Sequence, residues 1–265
     1  MIAGRRWRWG WLAVGLALLV LTNLAINPWF ARYRSLALMT GYDWVFERRS
    51  VPRATGAQVA MPLRDSGLYP LMITFNDDAG MSAWLGAPVE FTVEFSFADF
   101  GRWQPHSAIF SPEHPLYAAY VGSYYLQGLG RPLSATEVAL VAEFDQRWLA
   151  LPALGLGFDD NRFEVLSSSS RPISFAGRDW TSHDATVSTN CPDHSPDGFR
   201  LSYLQFGMPP KTTQHYPACE LTARIEVTYL PDLDLTIGTY IMAASSGELE
   251  RLSQEVVHRS VVSVG

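Results

Sequence analysis

Residues 89–97 read VEFTVEFSF, and their strict alternation of apolar and polar side chains decides the fold class. Successive side chains of a β-strand point to opposite faces of the sheet. The pattern therefore predicts a strand with one buried face and one face in water. Burial on one side only is typical of antiparallel sheets.

The segments on either side of this strand predict another strand and two helices. Residues 71–75 form a short strand pattern and end in the turn-rich cluster 76–80. In residues 115–127, Tyr117, Tyr120 and Tyr124 recur at i, i+3 and i+7, which predicts a helix carrying one aromatic stripe. Ser134 and Glu137 then form a capping-box pair that opens a helix through about Trp148.

The rest of the chain is predicted to be mostly strands, followed by a terminal helix that begins at Ser246. The strand patterns cover residues 163–166, 172–175, 185–188, 199–206, 223–230 and 235–242. We therefore predict an α+β fold: one N-terminal transmembrane helix, then a mainly antiparallel β-sheet domain with two or three packed helices.

The transmembrane prediction rests on residues 9–26, WGWLAVGLALLVLTNLAI, which contain no charged side chain. About 18 to 20 apolar residues can cross a hydrocarbon core as one helix. Arg5, Arg6 and Arg8 precede the run and favour a cytoplasmic N-terminus. The predicted parts are a cytoplasmic tail (1–8), a signal anchor (9–27), a juxtamembrane helix and linker (28–66) and an extracytoplasmic domain (67–265).

A cleaved signal peptide is the main alternative, because it shares the basic start and the apolar middle. Ala25 followed by Asn27 is a poor match to a small-residue cleavage site, which favours the uncleaved anchor. The pair Arg5-Arg6 also allows a twin-arginine signal, although the flanking residues that we expect for one are missing.

Charge is divided unevenly along the chain. Residues 1–53 carry eight arginines against Asp43 and Glu47, a net of +6; since the whole chain carries −6, residues 54–265 carry −12. An acidic domain argues against nucleic acid as a partner. The basic segment near the membrane suits contact with anionic lipid. Lys211 is the only lysine, a composition that indicates a GC-rich, bacterial genome.

Cys191 and Cys219 are the only cysteines, and we predict that they form a disulfide bond. The spacings Cys191-x2-His194 and His215-x3-Cys219 would also fit a tetrahedral zinc site, and this site and a pair of free thiols are the alternatives. Neither a cofactor nor a resident metal is predicted.

No motif in the sequence identifies a reaction. The weak candidates for ligand contact are the tyrosines 117, 120 and 124, as a platform for sugar rings, and the carboxylate pair Asp159-Asp160. The pair Asp77-Asp78 has the same composition, and turns use aspartate for backbone hydrogen bonds. Core tyrosines and turn aspartates are the structural alternatives.

The sequence thus favours a non-catalytic binding or scaffolding module, anchored in the inner (plasma) membrane of a bacterial envelope. Its partners would be membrane lipid and another membrane or envelope protein. The alternative is a membrane-anchored envelope hydrolase that uses dispersed Asp and His residues.

Overall fold

The computed structural model describes residues 14–23, 56–63, 66–68, 72–97, 108–151, 161–191 and 217–265. Seven strands form one antiparallel sheet in the order β2-β3-β4-β8-β7-β6-β5, and two further strands pair as β1-β9. The strands are β1 Ala57–Ala60, β2 Ile73–Asn76, β3 Glu90–Phe97, β4 Tyr120–Gln127, β5 Phe163–Phe175, β6 Arg178–Asn190, β7 Ala218–Leu230, β8 Leu235–Ala243 and β9 Val261–Val264.

The order of the strands in the sheet follows the order of the chain in two halves. Strands β2, β3 and β4 occupy successive positions from one edge to the centre, and β5, β6, β7 and β8 occupy successive positions from the other edge to the centre. The two halves meet where β4 pairs with β8, which we call the seam. The connection between β4 and β5 carries a helix, so the crossover from the centre to the far edge lies against the sheet.

Three α-helices accompany the sheet within the described ranges: α1 Asp78–Leu85, α2 Ala135–Phe144 and α3 Ser246–Leu252. Helix α2 continues as a π-helical segment, Asp145–Ala150, and α3 continues as another, Ser253–Val257. Helices α1 and α2 lie on one face, where Phe144 contacts Phe91 with ring centroids 5.9 Å apart. Helix α3 lies on the other face, which we call the C-terminal face, together with the β1-β9 pair.

The main prediction, a mainly antiparallel sheet with a few helices, is confirmed. The capping box of α2 is present, and the terminal helix begins at Ser246 as predicted. The predicted strands 163–166 and 172–175 are parts of one strand, β5. Residues 28–40 and 199–206, with their predicted helix and strand, lie outside the described residues.

Strand β3 departs from the prediction because both of its faces are buried. Glu94 is 0% exposed and Ser96 is 1% exposed, although their positions were predicted to face water. The reason is the cover on the C-terminal face, since the backbone N–H of Val59 in β1 donates to Tyr125 Oη on the neighbouring strand. The alternation of residue types predicts which side chains share a face, but it does not predict what covers that face.

The predicted helix at 115–127 is wrong. Residues 120–127 form β4, a central strand in which the first seven residues are buried. Because both faces of β4 are buried, its residues do not alternate between apolar and polar, which is the pattern that identifies a strand. The spacing of its tyrosines matches that of a helical stripe by coincidence. The predicted turn at 76–80 is also wrong in part, because Asp77 caps helix α1 there.

Strand β1 lies before residue 67, where the domain was predicted to start, and it pairs with β9 at the end of the chain. Further towards the N-terminus, residues 14–23 are helical. Across the ranges that the structure describes, no helix is long and apolar enough to cross a membrane.

Candidate functional site

Glycines at the seam make room for two tyrosine rings. Tyr124 of β4 lies opposite Gly238 of β8, and Gly122 lies opposite Tyr240. A Cβ atom at Gly238 would overlap the Tyr124 ring, and one at Gly122 would overlap the Tyr240 ring. The rings therefore lie flat across the seam, where bulkier side chains would lift them away from the sheet.

Helix α2 places an acidic side chain against these rings. Val138, Val141 and Phe144 form the buried face of the helix. The helix then widens into its π-helical segment, and Asp145 and Gln146, which are consecutive residues, are both buried. Such π-helical segments are rare and often occur at functional sites.

The seam and helix α2 thus enclose a polar cluster made of Tyr124, Tyr240, Asp145 and Gln146. Their exposed fractions are 1%, 5%, 2% and 3%. Gln146 Nε2 donates to Asp145 Oδ2 at 3.2 Å. Among the described residues, Tyr124 Oη and Gln146 Oε1 have no hydrogen-bond partner, and the Tyr240 hydroxyl interacts with the Asp145 carboxyl group.

Burial changes the ionisation of this cluster. It raises the pKa of Asp145 from 3.8 to about 7, against the smaller opposing effects of Tyr240 and Gln146. Burial also raises the pKa of Tyr124 and that of Tyr240, and the charge of Asp145 adds to both. The carboxyl group therefore exchanges its proton near neutral pH while both phenols stay protonated.

A small cavity with room for about one water molecule lies beside the polar cluster, and its accessible wall is almost wholly apolar. The apolar side chains of the wall are those of Ala142, Phe163, Ala223, Ile225, Ile241 and Met242. Those residues come from α2, β5, β7 and β8. The cavity therefore lies between helix α2 and these three strands of the sheet.

The opposite face of the sheet carries a straight row of polar residues. The strand registers align one residue from each strand: Thr74, Glu94, Ser123, Thr239, Glu226, Ser182 and Arg171. The five central members are no more than 1% exposed. Thr239 Oγ1 donates to Glu226 Oε2 at 3.4 Å, and His258 Nε2 lies 2.8 Å from Glu226 Oε1.

Ser253, His258 and Glu226 have the residue types of a hydrolytic triad but not its geometry. His258 Nε2 faces both Glu226 Oε1 and Ser253 Oγ, at 2.8 and 3.4 Å. A triad needs the acid and the nucleophile on opposite ring nitrogens. Ser253 is also fully buried and accepts from Arg224 Nη1 at 3.1 Å. These contacts hold the C-terminal segment, which consists of α3 and its π-helical continuation, on the sheet.

The residues predicted for ligand contact do not come together. Tyr120 packs against Phe97 with ring centroids 4.9 Å apart, Tyr124 lines the cavity, and Tyr117 is half-buried in the turn before β4. Two of the three rings are 1% exposed, so they offer no open platform for sugars. Asp159 and Asp160 lie outside the described residues.

The other candidates from the sequence are the pair Asp77-Asp78 and the two cysteines, and their contacts are structural. Asp77 Oδ1 accepts from the backbone N–H of Gly80, and Asp78 Oδ1 accepts from that of Phe91, both at 2.9 Å. Cys191 and Cys219 lie at disulfide distance, with Cα atoms 5.6 Å apart, and neither is a free thiol. A disulfide leaves no thiolate for zinc; His194 and His215 lie outside the described residues.

Asp145, Gln146 and Tyr240 were missed at the sequence level. The available signal was the position of Asp145 at i+7 from Val138 and i+4 from Val141, on the apolar stripe of a helix with a clear start.

Comparison with family models, with curated proteins and with solved structures finds no match to this chain.

Proposed function

We propose that this protein is a binding or scaffolding module tethered to the inner membrane of a bacterial envelope, with its β-sheet domain on the extracytoplasmic side. The observation that carries the proposal is the helix at 14–23. Its sequence is VGLALLVLTN, and every residue in it is exposed. Leu16 and Leu19 are each 67% exposed. An apolar surface of this kind is unfavourable in water and suited to lipid.

The disulfide pair supports the extracytoplasmic side. Disulfides persist in oxidising compartments such as the bacterial periplasm and are rare in the cytosol. Cys191 is 1% exposed, and its backbone N–H donates to Pro217 O at 2.9 Å. The pair therefore joins the ends of the 192–216 segment at the sheet.

Strand β5 supports a role in binding. It is thirteen residues long and lies at one edge of the seven-stranded sheet. Residues 166–172 are all exposed, and 167–170 are serines with small side chains. An exposed edge can accept an extended segment of a partner as an additional strand. The bulge between Val165 and Ser167 and the proline at 172 confine such pairing to 167–171.

Site-specific photo-crosslinking in native membranes tests this proposal. A photo-reactive residue in place of Ser168 is expected to capture one defined envelope or membrane protein. The matched control is the same residue in place of Gln254, which is exposed on the C-terminal segment. Equal capture from both positions, or from neither, would contradict binding through β5.

An envelope hydrolase remains the second candidate because of one contact on the same edge. Ser170 Oγ lies 2.9 Å from His183 Nδ1 across the β5-β6 pair. Burial lowers the pKa of His183, against the opposing charge of Asp184, which favours the neutral ring. Suppose that Ser170→Ala abolishes the function of the protein in the cell at normal protein abundance, whereas Ser168→Ala does not. That result would favour the hydrolase over the binding module.

A further inference from the structure

We propose that strand β9 is a self-association site, at which two copies of this chain pair β9 against β9 in antiparallel register around a two-fold axis at Ser263. Two copies joined in this way form one continuous sheet in the order β1-β9-β9-β1. The site lies on a different edge of the molecule from β5, and it goes beyond the binding function proposed above.

The backbone of β9 presents donors and acceptors on the side away from β1. Gly265 N donates to Gly56 O at 2.6 Å, so this pair and every second pair after it form the hydrogen bonds of the β1-β9 ladder. The pair of Val59 and Val262 lies between them, and Val59 N–H accordingly donates to a tyrosine of the main sheet. The N–H and C=O groups of Val262 and Val264 therefore point outward, where no strand among the described residues pairs with β9.

Strand β9 also holds most of the exposed apolar surface of the sheet domain. Apart from the helix at 14–23, the exposed large apolar side chains of the described residues are those of Leu166, Val261 and Val264. Val264 is 43% exposed, and its side chain lies on the same face of β9 as that of Val262, which packs against the hydrophobic core. A cover over Val264 would therefore extend the core.

A second copy supplies this cover by symmetry. With the two-fold axis at Ser263, Val262 of one copy lies opposite Val264 of the other, and the reverse pair forms at the same time. The outward N–H and C=O groups of these residues then bond to each other. The valine side chains of both copies meet on the face towards the core, which buries the exposed part of Val264. An isologous contact of this kind closes after two copies.

Strand β9 lacks the features with which edge strands resist pairing. Residues 260–265 read SVVSVG, without a charged residue or a proline, and the β1-β9 register has no bulge. Edge β5, by contrast, carries a bulge after Val165 and the pair Arg171-Pro172. Exposed edges in proteins are commonly protected by such charges, prolines and bulges. The neutral strand favours a second copy as partner, since two copies of a charged strand would repel each other.

The length of β9 determines where this association takes place. The strand has four residues, whereas a stable interface uses about 20–30 residues on each side. Association is therefore weak between freely diffusing copies. Attachment to one membrane raises the local concentration of the domains, as linkage does for two binding modules. Only this step rests on the proposed membrane attachment.

Cysteine crosslinking of the full chain in native membranes tests the proposal. Ser263 would lie opposite its own copy in a non-hydrogen-bonded pair, with Cα atoms about 4.5 Å apart, which a disulfide can bridge. Because Cys191 and Cys219 are paired with each other, Ser263→Cys is expected to be the reactive thiol. Mild oxidation is then expected to give a covalent dimer, which mass spectrometry identifies as two copies of this chain.

Val261→Cys is the matched control on the same strand. Val261 is 64% exposed, but in this register its two copies lie about 13 Å apart along the strands, beyond the reach of a disulfide. Equal yields from Val261→Cys and Ser263→Cys would indicate random collision and overturn the proposal. A dimer from Val261→Cys alone, or from neither variant, would also overturn it. A Ser263→Cys product that contains a different protein would assign β9 to another partner.

A charge at the edge gives a second test of the register. Val264→Lys places like charges in the paired strands and, combined with Ser263→Cys, is expected to lower the yield of dimer at least about tenfold. Leu166→Lys, at an exposed position of β5, is the control and is expected to leave the yield unchanged. Urea midpoints equal to that of the parent show that both variants are folded. An undiminished yield with Val264→Lys would contradict pairing through β9.

Failure of the membrane attachment and failure of the pairing can be told apart. If the chain is released from the membrane, the same oxidation of Ser263→Cys in concentrated solutions of the full chain still tests the pairing. A dimer that forms there in preference to one from Val261→Cys would support the β9 site without the membrane. No dimer from Ser263→Cys in membranes that do hold the chain would overturn the site and leave the attachment intact.

Discussion

At the scale of single residues, burial of Asp145 makes the stability of the protein depend on pH. It is 2% exposed and lies against two phenols and an amide. Its ionised form therefore exchanges the full hydration of the unfolded chain for a few polar contacts. Within the described residues its side chain has no cationic partner, which explains why burial dominates its pKa.

The raised pKa of Asp145 predicts that the protein loses stability as pH rises. Between 3.8 and about 7 the folded form binds a proton that the unfolded form has released. The free energy of unfolding therefore falls by about 1.4 kcal/mol per pH unit in this window, up to about 4 kcal/mol in total. Asp145→Asn is expected to remove this slope and to be the more stable protein at pH 8.

Urea unfolding of the full chain in detergent, followed by tryptophan fluorescence from pH 4 to 8, measures this effect. Asp232→Asn, on an exposed turn, is the control and is expected to keep the wild-type slope. An Asp145→Asn slope equal to that of the wild type would show that Asp145 is already ionised at low pH.

The glycines of the seam give a second prediction at this scale. Gly122→Ala would place its Cβ in the Tyr240 ring. Because the ring lies on backbone and cannot move away without losing burial, we expect a loss of at least about 2 kcal/mol in unfolding free energy. Gly247→Ala, with open space around it in α3, is expected to be neutral or to stabilise by up to about 1 kcal/mol. Equal effects of the two substitutions would refute the close packing at the seam.

At the scale of elements, the crossover helix α2 sets the geometry of the cavity. Its start is fixed by the capping box, in which Ser134 Oγ accepts from Glu137 N and the Glu137 side chain accepts from Ser134 N. Arg131 pairs with the same carboxylate, and this pair, more than the Ser134 contacts, lowers the pKa of Glu137 to about 2. A fixed start places Asp145 one residue beyond the last α-helical position.

Removal of this cap is expected to weaken α2. Ser134→Ala loses the side-chain acceptor for Glu137 N and is expected to cost about 1 kcal/mol in unfolding free energy. Ser246→Ala, at the exposed residue after the N-cap of α3, is the matched control and is expected to stay within about 0.5 kcal/mol. Thermal unfolding by circular dichroism distinguishes the two; a neutral Ser134→Ala would mean that tertiary packing alone positions the helix.

Elements with local signals could be predicted from the sequence, whereas those defined by long-range contacts could not. The capping box of α2 and the alternation in β3 are signals within a few residues, and both elements were found. Strand β4 is buried on both faces and shows no alternation of apolar and polar residues, so the spacing of its tyrosines led to the prediction of a helix. The candidate site was missed for a related reason: the register that brings Tyr240 to Asp145 joins positions 95 residues apart.

At the scale of the whole molecule, a disulfide and an apolar helix support the proposed location of the domain. The disulfide of Cys191 and Cys219 joins the end of β6 to the beginning of β7. It restricts the unfolded chain by closing the loop between them. The helix at 14–23 exposes its apolar side chains on all sides. Together these features account for the proposed attachment of an oxidised domain to a membrane.

Loss of the disulfide is expected to destabilise the domain by about 3 to 4 kcal/mol, the chain-entropy value for a loop of this length. Cys191→Ser tests this by urea unfolding. Wild-type protein treated with reductant is expected to show the same loss, whereas the variant is expected to be insensitive to reductant. Reductant that leaves the wild-type midpoint unchanged would contradict a disulfide between Cys191 and Cys219.

The most direct test of the proposed membrane attachment is protease accessibility in spheroplasts that carry the full chain. Protease added from outside is expected to digest the β-sheet domain and leave a short membrane-bound fragment that retains Arg5 to Arg8. The same digestion after the inner membrane is opened is expected to remove the basic residues as well. A domain that resists external protease until the membrane is opened, or a mature chain that begins after Ala25 and is released from the membrane, would contradict the anchored, extracytoplasmic arrangement.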